Sequence, residues 1–323
     1  MNVRKINFYK RCLFSYINYK RGKPNPVLLI LSPTMECNLK CSYCATWQND
    51  NKSFESWWPE IRRRKASIEN MKSLISEAYK LGIAYITVSG GEPLLIDNIE
   101  SIGQYAQNKG LMINLGTNGT LLKGNRAKQI INSFDQIRIS LDGMERTHDK
   151  LCGVPRTFSR VVSNVKYVME QKKKAKIGLN FVINDENEKE IPEFTEYFKD
   201  MVDFISIIPR FDASQCGIEN MEKPNTMRNN ECDAGRLYIY FAAGCILPCP
   251  YVTEHLNKRL VDDNGLVYEP GNLAKIYDSF RDIESVNCHG CLATCTTNIS
   301  RIFKSSPLTL IKNSLRYRKH YAL

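Results

Sequence analysis

Between residues 27 and 208 the chain alternates between two hydrophobic rhythms. Short runs at 27–32, 85–89, 112–116, 136–141, 177–183 and 204–208 are continuously or alternately apolar and rich in β-branched residues, which predicts strands. Segments near 67–81, 97–109, 124–133, 158–172 and 189–200 instead place apolar residues three and four apart, the period of a helix packed by one face. Strand and helix taking turns in this way predicts an α/β fold with a parallel sheet covered by helices. Six such units make a partial (β/α)6 TIM-like barrel, open at one side, with its functional loops at the carboxyl ends of the strands.

After Pro209 the rhythm breaks. Residues 210–231 are polar and aperiodic, which reads as a linker or long loop. Beyond them a hairpin is expected at 236–242 and 246–252 and a helix near 272–281, followed by a second group of cysteines. This predicts a small cysteine-rich α+β appendage stapled by metal. No run approaches the length of a membrane span, and no low-complexity segment or fixed repeat is evident.

Composition changes the picture only through where the charge lies. The net charge is +11, yet residues 1–23 carry seven Lys/Arg and residues 301–323 carry six, neither end with an acid, and the rest balances 32 bases against 34 acids. Both ends also carry spaced hydrophobes: Phe8, Tyr9, Leu13, Phe14 and Ile17 in one, Ile302, Phe303, Leu308, Ile311, Leu315 and Tyr317 in the other. Basic amphipathic ends fit an anionic membrane surface or an acidic partner, or else hydrophobes packed on the body beside solvated bases. Neither end holds a nucleic-acid-binding module, so no nucleic acid is expected.

The densest chemistry is Cys37-Asn-Leu-Lys-Cys41-Ser-Tyr-Cys44, in the loop that leaves the first strand. Three thiolates at this spacing can hold three irons of a 4Fe-4S cube and leave the fourth without a protein ligand. A zinc site would need a fourth ligand, and no His or further Cys follows within the next hundred residues. A disulfide framework is disfavoured because the amino-terminal stretch lacks the apolar core of a secretory signal; a reducing, cytoplasmic location is expected, with peripheral contact at a membrane as an addition.

One unit later, Ser89-Gly90-Gly91-Glu92-Pro93 ends the second strand, where paired glycines let the backbone approach a ligand. With both motifs, residues 25–210 resemble the radical S-adenosylmethionine superfamily. The resemblance implies that Cys37, Cys41 and Cys44 ligate a 4Fe-4S cluster whose open iron binds S-adenosylmethionine. Reductive cleavage of that molecule gives a 5′-deoxyadenosyl radical that abstracts hydrogen from substrate. It further implies that Tyr43 lies near the adenine and that Gly90, Gly91, Glu92 and Pro93 form the edge that holds the methionyl amino group. Thr117, Asn118, Ser140 and Asp142, at the next two strand ends, become further candidates for polar contacts to the same cofactor, although Asn-Gly and Asp-Gly are also ordinary turn dipeptides. Relatives often carry an arginine where this chain has Cys152. Arg156 or Arg160 is then the expected source of positive charge, with Cys152 a small buried filler.

The carboxyl-terminal cysteines resemble the SPASM/twitch auxiliary-cluster domains. Of six candidates, the resemblance implies that Cys232, Cys249, Cys288 and Cys291 hold one auxiliary 4Fe-4S cluster, with Cys245 or Cys295 able to replace one of them; Cys288-x-x-Cys291 alone suits zinc equally well. Cys12 and Cys216 have no partners by spacing and are expected to be structural, and His289 to be an exposed loop residue. The division expected is a basic segment at 1–24, the barrel at 25–210, the auxiliary domain at 211–300 and a basic tail at 301–323.

The resemblance implies an enzyme acting on a small-molecule, peptide or lipid-linked substrate and served by a reductant such as flavodoxin or ferredoxin. Only 36 residues precede Cys37, short for the leader-binding domain of many peptide-maturing members. A non-catalytic iron-sulfur carrier or redox sensor is the rival reading; it would be expected to show four cysteines per cluster. No general acid or base is assigned, Tyr251 and Asp142 being within reach of the rim only by position.

Overall fold

A computed structural model of the chain describes residues 3–44, 63–208, 233, 235–247, 267–281 and 303. Within them the elements run α1 (Val3–Lys20), β1 (Leu28–Ser32), α2 (Ile68–Leu81), β2 (Tyr85–Val88), α3 (Glu100–Asn108), β3 (Met112–Thr117), α4 (Gly124–Ser133) and β4 (Gln136–Ser140). The order continues with α5 (Glu145–Cys152), α6 (Thr157–Gln171), β5 (Lys176–Val182), α7 (Ile191–Phe198), β6 (Phe204–Ile208), β7 (Tyr238–Ala242), β8 (Cys245–Leu247) and α8 (Leu273–Arg281). All six expected strands form within a residue or two of their predicted ends. β1 is buried along its whole length, as its unbroken apolar run requires of a strand covered on both faces.

The helices obey the same local logic. In α2, Met71, Leu74, Ile75 and Ala78 make the buried stripe, Ser67 caps the start by accepting the Asn70 N–H, and left-handed Gly82 ends it. α5 is an addition to the expected elements. Only His148, Leu151 and Cys152 of its eight residues are buried, too few to write an apolar period. It is held from outside by Glu190, which accepts from the Met144 N–H at 2.7 Å and the Thr147 hydroxyl at 2.5 Å.

The strands form one open sheet in the order β6-β5-β4-β3-β2-β1-β7-β8, parallel from β6 through β7. The expected hairpin therefore joins the main sheet: β7 pairs in parallel with β1, and β8 folds back on β7. α8 is tied to α2 by Glu77, which accepts from the Tyr268 hydroxyl (2.6 Å) and the backbone N–H groups of Gly271 (2.8 Å) and Leu273 (3.1 Å). Cys232, Cys249, Cys288, Cys291, Cys295, Cys216, His289 and Tyr251 lie outside the described residues, as do the linker and the tail beyond Phe303.

α1 closes the amino-terminal end of the sheet with a mixed face, burying Phe8 and Tyr16 beside polar side chains that reach the strand starts. Arg4 pairs with Asp135 (2.6 Å), Asn7 donates to Gly110 O (2.8 Å), Arg11 to Tyr79 O and Ile83 O (3.0 Å each), and Ser15 to Asn25 O (2.9 Å). Val3, Leu13, Phe14 and Ile17 face outward. Phe303 packs on Tyr16 and Tyr19, so the chain enters its basic tail beside this helix.

Two aspartates fasten the same end of the sheet. Asp135 and Asp203, each just before a strand, donate their N–H to the neighbouring strand and accept an N–H back on the carboxylate, from Ile113 (2.9 Å) and Ile177 (2.8 Å) respectively. Burial alone pushes the Asp203 carboxyl up, but the Ile177 N–H and Lys172 reverse this and hold it below the usual carboxylate value. A depressed carboxylate adds stability that is complete above its unfolded value, near 3.9, and is lost as pH falls through the folded value. D203N should therefore cost about 1–2 kcal/mol at pH 7, read from urea denaturation, and its deficit relative to the parent should shrink as the pH is lowered below about 4. An equal deficit at both pH values would contradict this assignment.

Candidate functional site

The loop after β1 is held by the ends of the next three strands. On one side, Gly91 N donates to Thr34 O (3.0 Å) and Glu92 N to Glu36 O (2.8 Å), extending the β1–β2 pairing past the strands. This approach has no room for side chains. A Cβ on Gly91 would stand 2.1 Å from Glu36 O, and one on Gly90, at φ +114°, 2.6 Å from Thr34 O. On the other side, Lys40 N donates to Cys152 O (3.1 Å) and Ser42 N to Leu151 O (2.9 Å), so the end of α5 splints the stretch from Cys37 to Cys44. The Tyr43 hydroxyl bonds the Asp142 carboxylate, tying the loop to the end of β4.

Polar side chains complete the seat. Glu92 is fully buried and its carboxylate is spent inward: Oε1 accepts from the Thr117 hydroxyl (2.7 Å) and Leu94 N (3.0 Å), Oε2 from Asn118 N (2.7 Å). Burial raises its carboxyl above the ordinary range, opposed by those three donors. Asn118 Nδ2 donates to Asn38 Oδ1 at 2.8 Å and lies 3.8 Å from Cys37 Sγ, while Asn38 donates to the Thr120 hydroxyl at 2.8 Å. Asp142 accepts from Val182 N at 2.6 Å as well as from Tyr43, and burial lifts its carboxyl to about 6.

The three loop cysteines are half-buried and unbridged. Leu39 N donates to Cys37 Sγ (3.4 Å), although burial dominates and pushes this thiol up to about 11; Cys41 is lowered, chiefly by Cys152, whose sulfur stands 3.8 Å away. Among the described residues, no three His, Cys, Asp or Glu side chains gather around one point as a single metal ion would require. The donor set suits an iron-sulfur cube instead. Three soft thiols stand on one loop whose shape is fixed by other groups, with N–H donors beside Cys37.

The other candidates fall into two groups. Gly90 is exposed, and Asn118 and Ser140 are half-buried at their strand ends, whereas Pro93, Glu92, Thr117 and Asp142 are buried and brace the loop from behind. Arg156 and Arg160 are exposed near the start of α6. Cys152 is buried, as a filler would be, yet it also touches Cys41 and lies 3.4 Å from His148 Nε2. Burial lowers the His148 imidazole to about 4. The spacing of His148 and Cys152, four residues apart on one helix face, was the available signal for that contact. Cys245 is buried in β8, next to Arg64.

Comparisons with known proteins bear on this loop and sheet together. Residues 31–198 match the family model of the Radical SAM superfamily. Curated relatives include the Fe-coproporphyrin III synthase of Methanosarcina barkeri, 31% identical over 172 residues (53% of this chain, 40% of that protein). Another is the pre-heme d1 synthase of Dinoroseobacter shibae, 30% identical over 181 residues (56% of this chain, 42% of that protein). A third, the GTP 3′,8-cyclase of Clostridium perfringens, is 28% identical over 207 residues (60% of this chain, 59% of that protein). The chain thus spans about two-fifths of the length of the first two.

Among solved structures, Streptococcus suis SuiB bound to S-adenosylmethionine superposes with a TM-score of 0.57 at 16% identity, over 89% of this chain and 72% of that one. Native anSMEcpe with AdoMet and the Cp18Cys peptide gives 0.56 at 17%, over 88% and 85%. These two likenesses speak for the fold, an open α/β barrel. Because the family match runs over more than half of the chain and across the cysteine loop and the sheet that seats it, the chain belongs to the Radical SAM superfamily.

Proposed function

We propose that this chain is a radical S-adenosylmethionine enzyme in which Cys37, Cys41 and Cys44 hold a 4Fe-4S cluster. The observation that carries the reading is the two-sided clamp on their loop, which fixes the backbone without using any of the three thiols. When bound, the cluster supplies the electron for reductive cleavage of S-adenosylmethionine to methionine and a 5′-deoxyadenosyl radical able to take hydrogen from a substrate. The chain's own residues have two tasks. Gly90, Gly91, Asn118 and Ser140 offer polar groups along the rim for the methionyl and ribose ends, and Tyr43, anchored by Asp142, offers its ring to the adenine. Glu92, Pro93, Thr117 and Asp142 keep those groups in position from beneath.

The substrate is a small molecule or a peptide. Relatives named for heme and GTP chemistry support the first, and a similar fold solved with a bound peptide supports the second. A low-potential reductant such as flavodoxin or ferredoxin is the partner this chemistry needs. We also propose an auxiliary 4Fe-4S cluster on Cys232, Cys249, Cys288 and Cys291, with Cys295 as the alternate. The burial of Cys245 within β8 supports leaving it out of that set.

Anaerobically reconstituted protein should then carry about eight irons per chain, and a variant with Cys37, Cys41 and Cys44 all changed to Ala about four. That variant should form no 5′-deoxyadenosine on reduction with S-adenosylmethionine. A parent with about four irons and a variant with none would remove the auxiliary cluster. An intact cluster without 5′-deoxyadenosine in the parent would favour an electron carrier.

The outward apolar stripe of α1 favours a further reading, peripheral contact with an anionic bilayer. Leu13 and Phe14 are each 59% exposed, and Lys10, Lys20 and Arg21 flank the stripe with no acid on the helix. No helix among the described residues is long and apolar enough to cross a membrane, so the contact would lie in the interface. α1 sits at the end of the sheet opposite the cysteine loop, so a bilayer docked there would not face the site, and membrane contact does not by itself argue for a lipid substrate. The full chain should sediment with phosphatidylglycerol vesicles and much less with phosphatidylcholine vesicles, and L13E/F14E should abolish binding. Equal recovery with both lipids, or a stable dimer broken by the same substitutions, would overturn this reading.

A further inference from the structure

His148 and Cys152 share one face of α5 and point at the cysteine loop. Cys152 Sγ has two polar neighbours, Cys41 Sγ at 3.8 Å and His148 Nε2 at 3.4 Å, and His148 Nδ1 lies 3.0 Å from the backbone nitrogen of Asp142. These contacts fix where the protons go. A ring nitrogen that accepts a backbone N–H has its lone pair engaged, so the imidazole carries its proton on Nε2. The Cys152 sulfur stands beside the ring, 3.4 Å from Nε2 and 3.8 Å from Nδ1 and well off the Nε2–H direction, so His148 packs against the thiol and offers it no acceptor. The Cys152 S–H is left to point at its other neighbour. A Cys41 bound to iron is a thiolate with no proton to give, so the remaining hydrogen bond runs in one direction.

We propose that Cys152 donates an S–H···S hydrogen bond to Cys41, the one neighbour that can accept it beside His148, and thereby raises the reduction potential of the cluster. The inference rests on reading Cys41 as a cluster ligand. Hydrogen bonds to cluster sulfurs help set reduction potential, because they stabilise the reduced form, which carries the extra negative charge. The backbone supplies the preorganisation: Cys152 O accepts from Lys40 N at 3.1 Å, so the same residue that aims the thiol also fixes the loop carrying its target. The arginine expected at this position would have placed a cation at the rim. The thiol places a small neutral donor against a ligand sulfur, with a role different from that of a space-filling residue.

The test is a redox titration of the reconstituted protein followed by electron paramagnetic resonance. C152A should lower the midpoint potential, reducing the equilibrium constant for cluster reduction three- to tenfold, tenfold being ~59 mV for one electron. C152S, which keeps a hydrogen-bond donor, should stay near the parent. In deuterated buffer, hyperfine spectroscopy should show one exchangeable deuteron fewer coupled to the cluster in C152A than in the parent and C152S, with those of Leu39 N–H and the Asn118 amide beside Cys37 kept in all three. If C152A does not fold, Cys152→Val, which fills the space without a donor, carries the same expectation. An unchanged or higher potential in C152A, or a C152A spectrum with the same number of coupled exchangeable deuterons as the parent, would overturn the proposal, as would a folded C152A that binds no cluster. Iron content of C41A separates this from the underlying reading: a full, reducible cluster there would mean that Cys41 is not a ligand, whatever Cys152 does.

Discussion

The site depends on how closely two pieces of backbone approach. Past the end of β1, residues 34–36 continue to pair with Gly91 and Glu92, and the contact is so tight that a single Cβ on Gly91 would fall 2.1 Å from a carbonyl oxygen. Glycine is required there by space, and at Gly90 by a positive φ as well. This pairing sets where the cysteine loop leaves the sheet. From that exit point the loop turns back over the strand ends, the end of α5 receives Lys40 and Ser42, and Tyr43 reaches Asp142.

The same constraint explains the behaviour of the buried acids. A carboxylate buried as deeply as that of Glu92 is tolerated because three donors converge on it, and those donors come from the segment after Pro93 and from the end of β3. Its role in the fold is to lock two neighbouring strand ends into one rim. Asp142 does the same between β4, β5 and the loop. Four of the residues that a motif reading assigns to the ligand, Glu92, Pro93, Thr117 and Asp142, are thus buried and brace the rim, while backbone, Asn118, Ser140 and the ring of Tyr43 stay more accessible. At the opposite end of the sheet, Asp135 and Asp203 fasten strands in a comparable way, and Asp135 also pairs with Arg4 of α1.

Much of this was legible in the chain. β1 writes an unbroken apolar run and the next strands write alternating or mixed β-branched ones, so their positions could be read to within a residue or two, and the Cys37–Cys44 spacing and the Gly-Gly-Glu-Pro strand end marked the rim. Three things were hidden for physical reasons. α5 is short and mostly exposed, so it has no apolar period. β7 reads as half of a local hairpin, because the partner that makes it part of the main sheet, β1, lies some two hundred residues earlier. The inward commitment of Glu92 and Thr117 depends on donors from separate strands, which no local pattern encodes. Cys152 is an intermediate case: its contact with His148 follows from helical spacing, its contact with Cys41 only from the fold.

The central claim is that the clamped loop presents three thiolates to a cluster and leaves one iron open to S-adenosylmethionine. Electron–nuclear double resonance on the reduced protein with S-adenosylmethionine labelled with 15N at the amino group tests it most directly. The account predicts a 15N coupling that marks the amino nitrogen bound at the open iron. A reducible cluster whose spectrum is unchanged by saturating labelled S-adenosylmethionine, with no 15N coupling, would contradict it.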